Sequence, residues 1–157
     1  MGPFVARGGR AGTAMKIAAA QEVVHWEAAA AAVAASARWA EEAGIKVNIA
    51  VADSGGNLAA FLRMPGAYLH SIEIAIDKAY TAAGFGLPTG AWTEALATHS
   101  PAVRSGIPMR PRMVCFGGGL PIRHEGRVIG GIGVSGGSEP EDETCARAGL
   151  SAIRLDM

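Results

Sequence analysis

Cysteine is scarce in this 157-residue chain: Cys115 and Cys145 are the only two, they stand far apart in unlike contexts, and neither belongs to a CxxC pair. A disulfide-stapled scaffold or a cysteine zinc site is therefore a poor account of it, and both residues read as buried thiols. A charge excess is also missing. Fourteen basic and fourteen acidic side chains cancel, and neither sign forms a run. That argues against a nucleic-acid groove and against a basic membrane-binding face. No apolar run reaches the length of a membrane span; the alanine-rich stretch from Ala28 to Ala40 is interrupted by Ser36 and Arg38 and flanked by carboxylates. The stretch from Met1 to Met15 is glycine-rich and lacks the continuous apolar segment of a secretory signal. A cytoplasmic protein with a flexible tail over residues 1–20 and one domain over 21–157 is the expectation.

Several chemistries lack their motifs. There is no GKS or GKT phosphate loop, and Gly130-Gly131-Ile132-Gly133 falls inside a strand pattern rather than at a strand-to-helix turn. His25, His70, His99 and His124 are scattered without metal-ligand spacing, so no metal site is expected. No Ser-His-Asp order stands out, which leaves nucleophilic hydrolysis little support.

What the chain has is an apolar half, enough to bury a sizeable core in one domain. Long alanine runs from Glu27 to Ala43, closed by Gly44, predict a helix. Ile45 to Ala52 and Leu58 to Arg63 predict two antiparallel strands joined by Asp53-Ser54-Gly55-Gly56-Asn57. Between Leu69 and Ala83 the period shifts to that of a helix, with Ile72, Ala75, Ile76, Ala79 and Ala83 on one stripe; Ser71 and Lys78 share one edge of it and Tyr80 lies on the other. A short helical piece near Ala91 to Ala97, a long loop from His99 to Pro111, a strand at Met113 to Phe116 and a hairpin around Glu125-Gly126 follow. Ser138 then caps a last helix from about Glu139 to Ile153. Hairpins outnumber crossovers, so an α+β fold, an antiparallel sheet flanked by helices, is expected.

Two groups of residues are candidates for chemistry. Gly117 to Gly119 and Gly136-Gly137 border strand ends, as Gly55-Gly56 does, and their amides can surround a ligand; as turn glycines they need none. Asp53, Arg63 and Lys78 each end or edge an apolar element. Around one cavity they would form an acid beside two bases; the bland alternative is a turn-capping aspartate and structural ion pairs.

The blocks VNIAVADSGGNLAAFLRMPGAYLHSIEIAIDKAYTAAGFGLPT, VCFGGGLPI and VIGGIGVSGGSEPEDETCARAGL resemble the GlcG/HbpS-like haem-binding family, which includes the C-terminal domain of PduO-type proteins. The resemblance spans roughly Glu27 to Ile153. It implies a profilin-like domain with a five-stranded antiparallel sheet, assembly as a homo-oligomer, and a small-molecule ligand of the haem or tetrapyrrole kind. The family's blocks fall on Asp53, Gly55 and Gly56, on Arg63, Met64 and Gly66, on Ser71, Lys78, Ala79 and Tyr80, on Gly117 to Pro121, and on Gly136, Gly137 and Asp142. Pro65 stands where many relatives have an aspartate, and the segment His99 to Arg112 is individual to this chain. Members use a histidine for haem iron; here His25, beside Trp26, is the candidate, with His70 next to it in order of preference. The rival expectation is a cofactor-independent isomerase or tautomerase acting on a small unsaturated or hydroxy carboxylic acid. In it Asp53 carries the proton and Arg63 or Lys78 holds the carboxylate; on either expectation Ser71, Tyr80, Gly117, Gly118, Gly136 and Gly137 line the ligand site.

Overall fold

A computed structural model describes residues 12–153; residues 1–11 of the expected tail lie outside it. Residues 12–25 form neither helix nor strand. The chain joins the body of the protein at residues 22–24: the Val24 amide donates to the Ile129 carbonyl (2.9 Å), and the Ser54 hydroxyl donates to the Glu22 carbonyl (2.8 Å).

Helix α1 (Trp26–Ala43) starts where the His25 imidazole accepts from the Glu27 amide and stops at Gly44, whose left-handed conformation (φ 73°) returns its N–H to the last turn. Strands β1 (Asn48–Asp53) and β2 (Leu58–Arg63) form the expected hairpin, with a register shift between Val51 and Ala52. Helix α2 (Ser71–Phe85) follows. After it come a 3-10 turn at Thr89–Ala91, the short helices α3 (Trp92–Ala97) and α4 (Pro101–Gly106), and a second 3-10 turn at Ile107–Met109. The expected long loop is thus mostly helical: Ser100 caps α4 and Pro101 opens it with a ready-made φ. Strands β3 (Gly119–His124) and β4 (Arg127–Ser135) join through Glu125-Gly126, both with positive φ (49° and 77°), the two-residue turn whose twist matches a hairpin. Helix α5 (Glu139–Ala152) begins with a capping box between Ser138 and Glu141.

The antiparallel sheet runs β2-β1-β4-β3. It has four strands among the described residues, not five. The missing one is Met113 to Phe116, which forms no strand because Arg112 has a left-handed backbone (φ 65°) and the Val114 amide donates to the Thr81 hydroxyl instead of to a neighbouring strand.

Strand alternation divides the sheet into two unlike faces. Ile49, Val51, Leu120, Ile122, Ile132 and Val134 join Ala29, Ala32, Val33, Cys145, Ala146 and Leu150 of α1 and α5 in the main core. The other face shows Ala50 and Ala52 to Ala75 and Ala79 of α2. Here β4 carries Gly131 and Gly133, and α2 lies almost on its backbone. A Cβ added at Gly133 would strike the Ala75 carbonyl, and one at Gly131 the Ala79 carbonyl. This close approach lets a long side chain on α2 reach past β4 to α5.

Candidate functional site

That side chain is Lys78. It is 1% exposed, and its Nζ donates to the Val134 carbonyl (2.8 Å) and to Asp142 Oδ2 (3.1 Å). The Phe116 ring covers the ammonium with its centroid 5.1 Å away. Asp142 sits in the first turn of α5, where Gly136-Gly137 feed into the helix; its Oδ1 accepts from the Gly137 amide (2.8 Å). Gly118 (φ 122°) closes the other side, and a Cβ there would come within 2.6 Å of Lys78 Nζ and 2.9 Å of Asp142 Cβ. Glu139 accepts from the Gly117 amide at 2.6 Å. The structure therefore gathers Lys78, Gly117, Gly118, Gly136 and Gly137, and adds Asp142, Glu139 and Phe116. Burial lowers the Lys78 ammonium below its ordinary pKa and raises the Asp142 carboxyl above its own, while their mutual attraction opposes both shifts. Among candidate residues Asp142 came only from the family blocks; Glu139 and Phe116 carry no signal of their own, since a first-turn glutamate and an apolar residue before glycines suit any capped helix and turn.

The cluster joins α2, β4 and α5, and it does not take in the other two charged candidates. Asp53 Oδ1 accepts from the Gly55 and Asn57 amides (2.9 and 3.0 Å), and the Asn57 side-chain amide reaches both carboxylate oxygens at 3.2 Å. Arg63 donates to the Ala67 carbonyl at 2.8 Å. Arg63 pairs with Asn48, the first residue of β1, whereas Asp53 is its last. At the usual rise, five residues separate the two by roughly 17 Å. Asp53 as arranged closes a turn, and nothing in its surroundings favours the isomerase expectation.

Ser71 is buried in the first turn of α2, where its amide and the Asn48 side-chain amide both donate to the Tyr68 carbonyl. Tyr80 lies on the outer side of α2, against Gly56, with the Arg112 guanidinium stacked 3.6 Å from its ring centre. Of the thiols, Cys145 is buried between α1 and α5 and Cys115 is half-buried; both are free.

Gly133-Val134-Ser135-Gly136-Gly137 spells GxSxG. Ser135 is nevertheless a buried strand residue opposite Asn48, and its φ is not positive as a nucleophile elbow would require.

The two preferred histidines differ in how free they are. His25 Nδ1 accepts from the Glu27 amide at 3.2 Å, and its ring stands 5.7 Å from that of Trp26. With Nδ1 an acceptor, the neutral ring carries its proton on Nε2, and ligation through Nε2 would cost the helix its cap. His70 makes no side-chain hydrogen bond to the helix it precedes. It borders an open cleft of about 340 Å³ lined by Leu69, His70, Ile72 and Glu73, and the neighbouring Tyr68 and Leu69 are each 70% exposed. Groups of acidic, histidine and cysteine side chains able to hold a metal ion on their own are absent among the described residues, and no described helix is long and apolar enough to cross a membrane.

Known proteins share this architecture. A family model described as haem degrading protein HbpS-like matches residues 24–151. Protein GlcG of Escherichia coli strain K12 is 32% identical over 113 residues, 72% of this chain and 81% of its own. A double mutant of HbpS from Streptomyces reticuli is 33% identical with a TM-score of 0.76, covering 96% of either chain. A crystal structure of PduOC in complex with haem is 28% identical with a TM-score of 0.78, covering 85% of this chain and 97% of that one.

Proposed function

Because the chain belongs to the HbpS-like family, we propose that it binds haem or a related tetrapyrrole, as a homo-oligomer. The observation that carries this reading is the likeness to PduOC, whose structure was determined with haem bound. The residues at the start of α2 fit such a group on one side. His70 offers a ring nitrogen unused by the helix, and Tyr68, Leu69 and Ile72 supply exposed or half-buried apolar surface for the macrocycle. On that geometry His70 is a better iron ligand than His25, whose Nδ1 is spent on the cap of α1. Bound haem would supply a redox-active iron, which His70 would hold; the protein's own part is to orient the ring and to shield one of its faces. The cleft at His70 is open, so the opposite face needs cover from elsewhere, and a second copy of the chain meets that need.

Titration of purified protein with haemin tests the proposal. A shifted Soret band with saturable stoichiometry is expected, lost in His70→Ala and largely retained in His25→Ala. Loss in His25→Ala alone would move the ligand to α1. Unsaturable uptake indifferent to all four histidines would overturn haem binding. Sedimentation of apo and haem-loaded protein tests the assembly, and a monomer in both states would remove it.

A further inference from the structure

We propose that the groove between α2 and the Ile107–Met113 segment binds a carboxylate carried on a small planar apolar body, such as an aromatic or unsaturated acid. The groove, of about 100 Å³, is lined by Tyr80, Phe85, Ile107, Pro111 and Met113 together with Arg110 and Arg112. Its walls are nearly all carbon, yet two permanent cations stand in them. Arg110 is exposed, and its guanidinium makes no hydrogen bond or ion pair among the described residues. Arg112 gives only its Nε, to Asp77 at 2.9 Å, and its two terminal nitrogens have no partner among the described residues.

Arg112 is held firmly. Its left-handed backbone (φ 65°) is a conformation that costs a side-chain-bearing residue energy, and three contacts hold it there: the Asp77 bond, the stack on Tyr80 at 3.6 Å, and the Thr81 hydroxyl donating to its carbonyl at 2.9 Å. The same Thr81 oxygen accepts from the Val114 amide at 3.2 Å, so α2 pins the C-terminal end of the segment that forms one wall. A ligand therefore meets a preformed slot. Its flat body would lie against the apolar walls to which Phe85 and Met113 contribute, and its carboxylate meets N–H forks of matching planarity. The groove is too small for a drug-sized ligand, which limits the body to about one ring or a short unsaturated chain.

Such a carboxylate could be a free acid or the propionate edge of a tetrapyrrole, and the test separates them. Calorimetric titration with benzoate should show saturable binding, weakened at least tenfold in Arg110→Ala, partly restored in Arg110→Lys, and absent for benzyl alcohol. Arg110 is exposed, so Arg110→Ala should keep the wild-type melting temperature. Haemin titration in saturating benzoate then assigns the source: displacement places a propionate here, and independent binding places a free acid. No saturable benzoate binding, or equal affinity in Arg110→Ala, overturns the proposal.

Discussion

Asp142 and Lys78 show how much a single buried charge depends on its partner. With Lys78 1% exposed and Asp142 3%, removing one carboxylate strands an ammonium away from water. Asp142→Asn should destabilise the protein by about 3–5 kcal/mol in chemical denaturation, whereas replacing both at once, Lys78→Met with Asp142→Leu, should be close to neutral. The pair also sets a pH dependence. A carboxyl raised above 3.8 in the folded state binds protons more tightly when folded, so its contribution falls as pH rises from 3.8 through the folded value. An ammonium lowered below 10.5 costs stability at every pH below its folded value, and that cost fades as pH climbs from the folded value to 10.5. The melting temperature of the double variant relative to wild type should therefore be highest between these two windows and decline toward acid and alkali; a flat difference would refute the assignment. The thiols should part in the same way. Burial pushes Cys145 up to about 12 and also raises Cys115, but Cys115 is only half-buried, so a thiol reagent should label Cys115 first and Cys145 only on unfolding.

Elements were legible in the sequence where a local rule dictated them. Alanine runs closed by Gly44, β-branched runs around a glycine turn, and Ser138 before an acidic first turn yield α1, the β1–β2 hairpin and α5 from neighbours alone. Replacing the cap, Ser138→Ala, should cost about 1 kcal/mol of thermal stability. The element that failed, Met113 to Phe116, has strand-like residues but spends its Val114 amide on Thr81, a partner 33 residues away. Gly131 and Gly133 read as strand glycines, and their purpose emerges only once α2 lies across them. Gly133→Ala would drive a methyl group into the Ala75 carbonyl. A loss of about 1–3 kcal/mol is expected, with lifting of α2 visible as faster amide exchange along its sheet-facing side.

At the scale of the whole molecule, haem binding should register as stability, since any ligand that prefers the folded state raises its melting temperature. At a hundredfold excess over its dissociation constant the gain is about 2.7 kcal/mol, roughly 5–10 °C for a chain of this size, and His70→Ala should abolish it. Read by itself, the sequence determined the α+β class, the three long helices, the two hairpins and the family, because capping, periodicity and turn chemistry act between residues close in the chain. It also marked Lys78 and the glycine clusters as candidates, but it set Lys78 beside Asp53 and Arg63. Which charge Lys78 meets was decided by tertiary structure alone. Asp142 lies 64 residues further on, and only a helix seated against a glycine-bearing strand brings the two together while leaving Asp53 and Arg63 at opposite ends of the β1–β2 hairpin. Arg110 and Arg112 likewise become a pair of carboxylate donors only when Thr81 fastens their segment against α2. Contacts of that kind depend on how layers stack, and no periodicity along the chain encodes them.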